Sequence, residues 1–303
     1  MRRILDAEAP ATRLAAFRVF VGVFVVIYLV GRSPVFLSLG DRPAADFDGV
    51  GMLAALSAPP STAVLAIAIV VALVSGVATT IGWRYRPNVI VFASTMLFLT
   101  TLRGSWGQLL HFENLMVLQL LVLAASPAAD AWSMDARRTH RTQATSERPS
   151  VRYGWPLAVA GLVTVVTYVI TGVAKLRYGG FDWVSGETLQ NHIAYSAARL
   201  DLLGGATPVL AEFVVRQEWV LGVFAFGAVA IELTAPTAFI GTRSRNVWVV
   251  SAWLMHVGIF LTMSVGFPSP LFGAAFAPFF ALERIEPWGR GRLARWRLAR
   301  SPV

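Results

Sequence analysis

The chain has 303 residues, of which 56% are hydrophobic and only 14% charged, with a mean hydropathy of +0.61. Soluble domains carry about 25% charge, and a water-soluble fold of this length could not hide so much apolar surface. The formal charge of +9 does not point to nucleic acid, since the arginines stand beside apolar runs and not on one polar face, and the lack of cysteine excludes disulfides, thiol nucleophiles and thiolate metal sites.

In chain order, apolar runs predict spans at about 14–31, 62–82, 87–101, 107–126, 155–174, 219–240, 247–266 and 268–282. Most approach the roughly 20 residues a helix needs to cross the hydrocarbon, and the third and last are the shortest. Arg2 and Arg3 ahead of the first run also fit a secretory signal, but no small-residue cleavage site follows before Arg32 and Ser33, so this helix is expected to be retained. With the amino terminus inside, the Pro-, Gly- and Asp-rich segment 32–60 falls outside, and segment 128–154, with five arginines, falls inside as a surface or disordered loop. From Trp183 to Arg216 apolar residues mix with Glu187, Gln190, His192, Arg199, Asp201 and Glu212, a pattern for short amphipathic helices at the outer interface that could roof a cavity. The tail from Trp288 to Arg300 spaces arginines helically beside Trp and Leu, as suits anionic headgroups.

In this topology 18 of the 26 basic residues are cytoplasmic, the bias of the positive-inside rule. The expected fold is an all-α polytopic membrane helical bundle of about eight transmembrane helices plus outer-side amphipathic helices. One domain covers 1–284, and a basic amphipathic cytoplasmic tail covers 285–303. Both termini are expected in the cytoplasm, with membrane lipid as a partner and no nucleic acid.

Ionisable groups inside spans are expensive, so each is a functional candidate. Lys175 is the only lysine beside 25 arginines. An amine can give up its proton when desolvated whereas a guanidinium effectively cannot, so Lys175 is a candidate base. Thr164, Thr167, Tyr168, Thr171 and Lys175 share a sector of about 100° on the fifth span, like the wall of a polar cavity. The structural alternative is a lysine snorkelling at a helix end, with threonines bonded to their own backbone. In the fourth span Gln108, His111 and Gln119 share a sector of about 80°, with Asn114 next to it and Glu113 on another side. These side chains either orient a ligand or fix helix packing. Glu232 and His256 lie mid-way along the sixth and seventh spans and could pair with each other, with Tyr168 or with a ligand. Scattered histidines and the lack of a His-x-x-x-His pair argue against a metal, and no Ser-His-Asp arrangement is visible.

The stretch from Tyr168 to Glu187 resembles the signature of the vitamin K-dependent γ-carboxylase family, including bacterial members with the so-called horizontally transferred transmembrane domain. That signature of tyrosine, apolar residues, Gly, Lys-Leu, Trp and Gly is filled by Tyr168, Gly172, Lys175, Leu176, Trp183 and Gly186. Ser105-Trp106 through His111, Gln119 and Trp132-Ser-Met-Asp135 agrees in order, as does Glu232-Leu-Thr through His256 to Ser269-Pro-Leu-Phe272. Where the family has an Asn-His pair this chain has Gly107-Gln108-Leu-Leu-His111, so His111 corresponds to that histidine only across inserted residues. The spacer from Leu176 to Trp183 is also longer than in the animal enzyme.

The resemblance implies an enzyme in which Lys175 deprotonates a reduced quinone that O2 then oxygenates to an epoxide or related oxide. Tyr168, Thr171, Trp183, Glu232, His256, His111 and Asn114 are the expected substrate-binding residues. It implies a quinone or phenolic small molecule and O2 as reactants, with no metal, in the inner (plasma) membrane with the site toward the outer side. The animal enzyme continues into a lumenal domain that grips a propeptide; no such domain follows the eighth run, so oxygenation without a peptide grip is the expectation. Two alternatives stay open. One is a quinol-driven carboxylase that uses CO2 on a small molecule or a peptide held by a partner protein; the other is a non-catalytic lipid- or quinone-binding subunit.

Overall fold

Proline and glycine set most helix ends in the computed structural model of the chain, which describes residues 5–107, 112–139 and 147–285. Eight helices of twelve residues or more are present among these: α1 Ala11–Leu37, α2 Thr62–Ile81, α3 Tyr85–Arg103, α4 Asn114–Ala125, α5 Val151–Ser185, α6 Glu187–Leu202, α7 Glu218–Leu233 and α8 Thr242–Met263. Pro10 precedes α1 with ψ 153°, Gly82 closes α2 at φ +67°, Pro87 sits in the first turn of α3, and Pro127 follows α4.

Among the described residues four helices are long and apolar enough to cross a membrane: α1 with its 3₁₀ extension, α2, α5 and α8. Their outward faces are as apolar as their inward ones. Ile27 is 66% exposed, Ile67 65% and Val74 62%, an arrangement that water would penalise and lipid tolerates. The chain is therefore a membrane-embedded protein. The predicted run 87–101 lies within α3, whereas run 107–126 holds α4 only over Asn114–Ala125 and run 219–240 holds α7 only as far as Leu233. The eighth run, 268–282, differs from expectation: it holds only the α-turn Pro268–Leu271 and the 3₁₀ helix Ala274–Phe279. Pro268, Pro270 and Pro278 remove backbone donors there, and Gly273 turns the chain at φ +79°. The arginine-rich loop is described only on either side of 140–146, and the tail beyond 285 lies outside the described residues.

The chain divides into two units. The first contains residues 1–160 and 277–303. In it Leu14, Phe17, Val21, Val25 and Leu29 of α1 recur every three or four residues and pack with Leu65 and Ile69 of α2, Phe92 and Met96 of α3, and Leu120 of α4. One end of this bundle is tied by Arg18, whose fully buried guanidinium donates to the carbonyls of Ala128 (2.5 Å), Ala131 (3.2 Å) and Trp132 (2.6 Å). Asp135 accepts from the amides of Arg84 (3.0 Å) and Tyr85 (2.8 Å), capping α3 from a distant segment. The other end holds a buried ion pair, Arg103 Nη1 to Glu113 Oε1 at 2.7 Å, and the Tyr28 hydroxyl donates to the same carboxylate. Ser105 and Trp106 pin segment 38–61: the Asp48 amide bonds the Ser105 carbonyl at 2.9 Å and the Trp106 indole meets Phe47 edge-on.

The second unit covers residues 161–276. It contains the last part of α5, then α6, the short helix Ala211–Val215, α7, the 3₁₀ helix Ala235–Phe239 and α8. The segment predicted to form amphipathic helices does so in α6 and Ala211–Val215, which pack Ile193, Ala211 and Val214 against Val220 and Leu221 of α7.

Candidate active site

The candidate residues of the fifth, sixth and seventh spans come together in the second unit. Lys175 Nζ lies 2.6 Å from Glu232 Oε1, with side-chain exposures of 16% and 5%. Gly172, one turn before Lys175, makes this pairing possible. A Cβ at 172 would stand 3.0 Å from the Glu232 Cβ and 3.0 Å from Leu233 Cδ2, so α5 and α7 approach closely only over a glycine. Gly172→Val is accordingly expected to force the two helices apart. Overpacking costs about 1–3 kcal/mol, and a 1 Å misplacement of reacting groups about a hundredfold in rate. Thermal denaturation and turnover measured on the same preparation check both effects.

Beyond Lys175 the helix breaks at Gly180, with φ 53° and ψ −133°. The Trp183 side chain then occupies the space where Gly179 lacks a Cβ, and Lys175 Nζ lies 4.8 Å from the centre of the indole ring. Lys175 is therefore held by a carboxylate and by an aromatic ring. His192 of α6 packs against Trp183 at 5.7 Å between ring centres.

Two turns earlier, about 10 Å along the helix axis, Tyr168 faces α8. Its hydroxyl is 2.9 Å from His256 Nε2, and both residues are buried. Tyr168 meets Trp248 edge-on at 5.2 Å, while Phe276 lies 6.3 Å from Tyr168 and Phe267 lies 5.0 Å from His256. The Trp248 indole donates to the Ile231 carbonyl at 3.0 Å, beside Glu232 in the chain. Two buried atoms here have no hydrogen-bond partner among the described residues, Glu232 Oε2 and His256 Nδ1. Tyr168, Trp248 and Phe276 thus form one aromatic cluster around these buried polar groups.

The expected threonine stripe divides. Thr167 and Thr171 donate to the carbonyls of Val163 (2.9 Å) and Thr167 (2.8 Å) on their own helix, the structural alternative, so Thr171 has only lone pairs to offer a ligand. Thr164 instead donates to the Ala275 carbonyl at 3.0 Å. Asn114 is exposed at the first position of α4 in the first unit. Glu113 beside it is the buried residue of that pair. Gln108 and His111 lie outside the described residues.

The Lys175–Glu232 pairing is not foreseen from sequence, which offers Glu232 only His256, Tyr168 or a ligand. One signal is present: Glu232 is the only carboxylate in the predicted spans 155–174, 219–240, 247–266 and 268–282, and a lysine nearby in hydrocarbon requires an opposite charge. Trp248, Phe267 and Phe276 carry no such signal, because aromatic residues in a membrane helix read equally well as lipid-facing.

A comparison with protein-family models matches residues 7–282 to the HTTM domain. The chain belongs to the HTTM domain family. No curated protein and no solved structure matches it significantly. The HTTM match spans both units and takes in Lys175, Glu232, Tyr168 and His256.

Proposed function

We propose that this HTTM protein is a membrane enzyme that oxygenates a reduced quinone or related phenol, with Lys175 as general base. The observation that carries the reading is the Lys175–Glu232 pair, 2.6 Å apart, on the same face of α5 as the buried Tyr168–His256 pair. In this reading the hydroquinone binds beside the aromatic cluster of Tyr168, Trp248 and Phe276, and its hydroxyls bond the buried polar groups Glu232 and His256. One atom of O2 enters the ring as the epoxide and the other leaves as water with the two quinol protons, the electrons for its reduction coming from the hydroquinone.

An ammonium is not a base, so the pair must first discharge. Passage of the proton along the 2.6 Å hydrogen bond to Glu232 leaves a neutral amine beside a neutral acid, and apolar surroundings then have no charge to solvate. Lys175 Nζ can accept a phenolic proton from that state. In this reading Tyr168 and His256, bonded to each other, supply a hydrogen bond to an oxygen on which negative charge grows. Trp183 keeps the amine from swinging out to headgroups. In the topology expected from the positive-inside bias this end of α5 faces the outer leaflet, which lipid-soluble quinols can reach.

The test is quinol-dependent O2 consumption by protein in nanodiscs, with reduced benzoquinones and naphthoquinones and mass spectrometry of the product. Wild type is expected to form a quinone oxide. Lys175→Arg retains the cation and its carboxylate partner but cannot act as base, and should lose about 10²–10⁴-fold in rate while remaining folded. No turnover with any quinol, or an arginine variant as active as wild type, would replace this reading with that of a binding subunit. A carboxylated product that depends on CO2 would replace it with the carboxylase.

A further inference from the structure

A groove of about 640 Å3, within the roughly 300–1,000 Å3 range of ligand sites, is lined by residues of α7, α8 and the turn joining them. Its lining divides by polarity along α8. Arg243, Thr242 and Thr237 stand near the turn, whereas Ile231, Val247 and Trp248 lie farther along the two helices. None of the lining residues is acidic, and exposed Arg243 forms no ion pair among the described residues. The neighbouring surfaces of α7 and α8 expose Val223, Phe226, Val250 and Leu254, so the groove lies within a lipid-facing surface.

These features select the occupant. Free phosphate would answer Arg243 but leave the apolar wall bare, and a neutral lipid would cover the wall but leave the guanidinium without a counter-charge. We infer that this groove binds an anionic glycerophospholipid, its phosphate at Arg243 and the threonine hydroxyls and an acyl chain along Ile231, Val247 and Trp248. Basic pockets between membrane helices take anionic headgroups on the cytoplasmic side, where the charge bias of the chain places Arg243. The groove shares Trp248 with the aromatic cluster of the proposed quinol site, but neither Lys175 nor Glu232 lines it, and lipid retention is read without turnover.

The test reconstitutes the full chain in phosphatidylcholine nanodiscs with and without phosphatidylglycerol, then uses native mass spectrometry to count lipid retained after transfer to mild detergent. Wild type is expected to retain one phosphatidylglycerol in preference to phosphatidylcholine. Arg243→Ala should lower retention roughly five- to tenfold, the worth of one arginine near a membrane surface. Val247→Trp, which fills the groove without changing charge, should lower it similarly, while Arg199→Ala on α6 should leave it unchanged. Wild-type retention by either groove variant, equal retention of the two lipids, or displacement by inorganic phosphate would each overturn the inference.

Discussion

Glu232→Ala is expected to abolish turnover and to destabilise the protein by up to about 3 kcal/mol, because it leaves the partly buried Lys175 ammonium without its counter-charge. The same reasoning predicts rescue of stability without rescue of activity. Lys175→Met/Glu232→Leu removes both charges together, and well-packed apolar replacements of a buried pair are often neutral or stabilising. A double-mutant cycle on thermal stability should therefore give a coupling well outside additivity, about 0.5–3 kcal/mol or more for groups in direct contact. The oxygen-consumption assay should find both single variants and the double variant inactive. If Glu232→Ala stayed as stable and as active as wild type, the pair would be an incidental contact at a helix end, and Lys175 would lose its assigned role.

Gly172 brings α7 close enough for Glu232 to reach the lysine, and the glycines at 179 and 180 let Trp183 fold back over the amine. These glycines lie in the stretch by which the sequence resembles the γ-carboxylase family. Of the three, Gly172 belongs to the resembling signature itself, whereas Gly179 and Gly180 lie in the spacer that is longer than in the animal enzyme.

The membrane helices are legible in the sequence because an apolar run of span length, repeated along one chain, exceeds what a soluble core of this size can bury. Their number is less so. Run 268–282 has the hydropathy of a span, yet its prolines and Gly273 prevent a continuous helix, and a count of apolar residues does not see this. Lys175, Tyr168, Glu232 and His256 are legible as polar residues out of place in hydrocarbon. Their pairing is only half legible, because which spans face each other depends on packing across 57 residues for Lys175–Glu232 and 88 for Tyr168–His256. Thr171 shows the limit of periodicity: it lies on the expected face, yet its hydroxyl proton is taken by its own helix. Glu113 shows the converse. The helical wheel assigns it to another side of the fourth span, but α4 begins only at Asn114, so Glu113 precedes the helix and turns inward to Tyr28 and Arg103.

Loss of Arg18 is the other change expected to have a large effect. Its place inside the predicted span 14–31 marks it as a charge out of place in hydrocarbon, but the sequence does not show what holds it. In the structure it is fully buried, and its planar fork serves three carbonyls at once, those of Ala128, Ala131 and Trp132. Trp132 holds φ at +48°, a costly conformation for a residue with a side chain, so the segment needs an outside hold. Arg18→Met would leave these buried acceptors unsatisfied at about 1–3 kcal/mol each, and the expected total of about 3 kcal/mol or more is enough to unfold a marginal protein. Lysine cannot replace the fork, because a single ammonium is a point donor on a flexible stem. Arg18→Lys should therefore fall between wild type and methionine in a thermal melt followed by size-exclusion recovery. A methionine variant as heat-stable as wild type would show that the segment holds its shape without the clamp. The expected order instead makes a charge in the first span part of the frame on which the first unit is built.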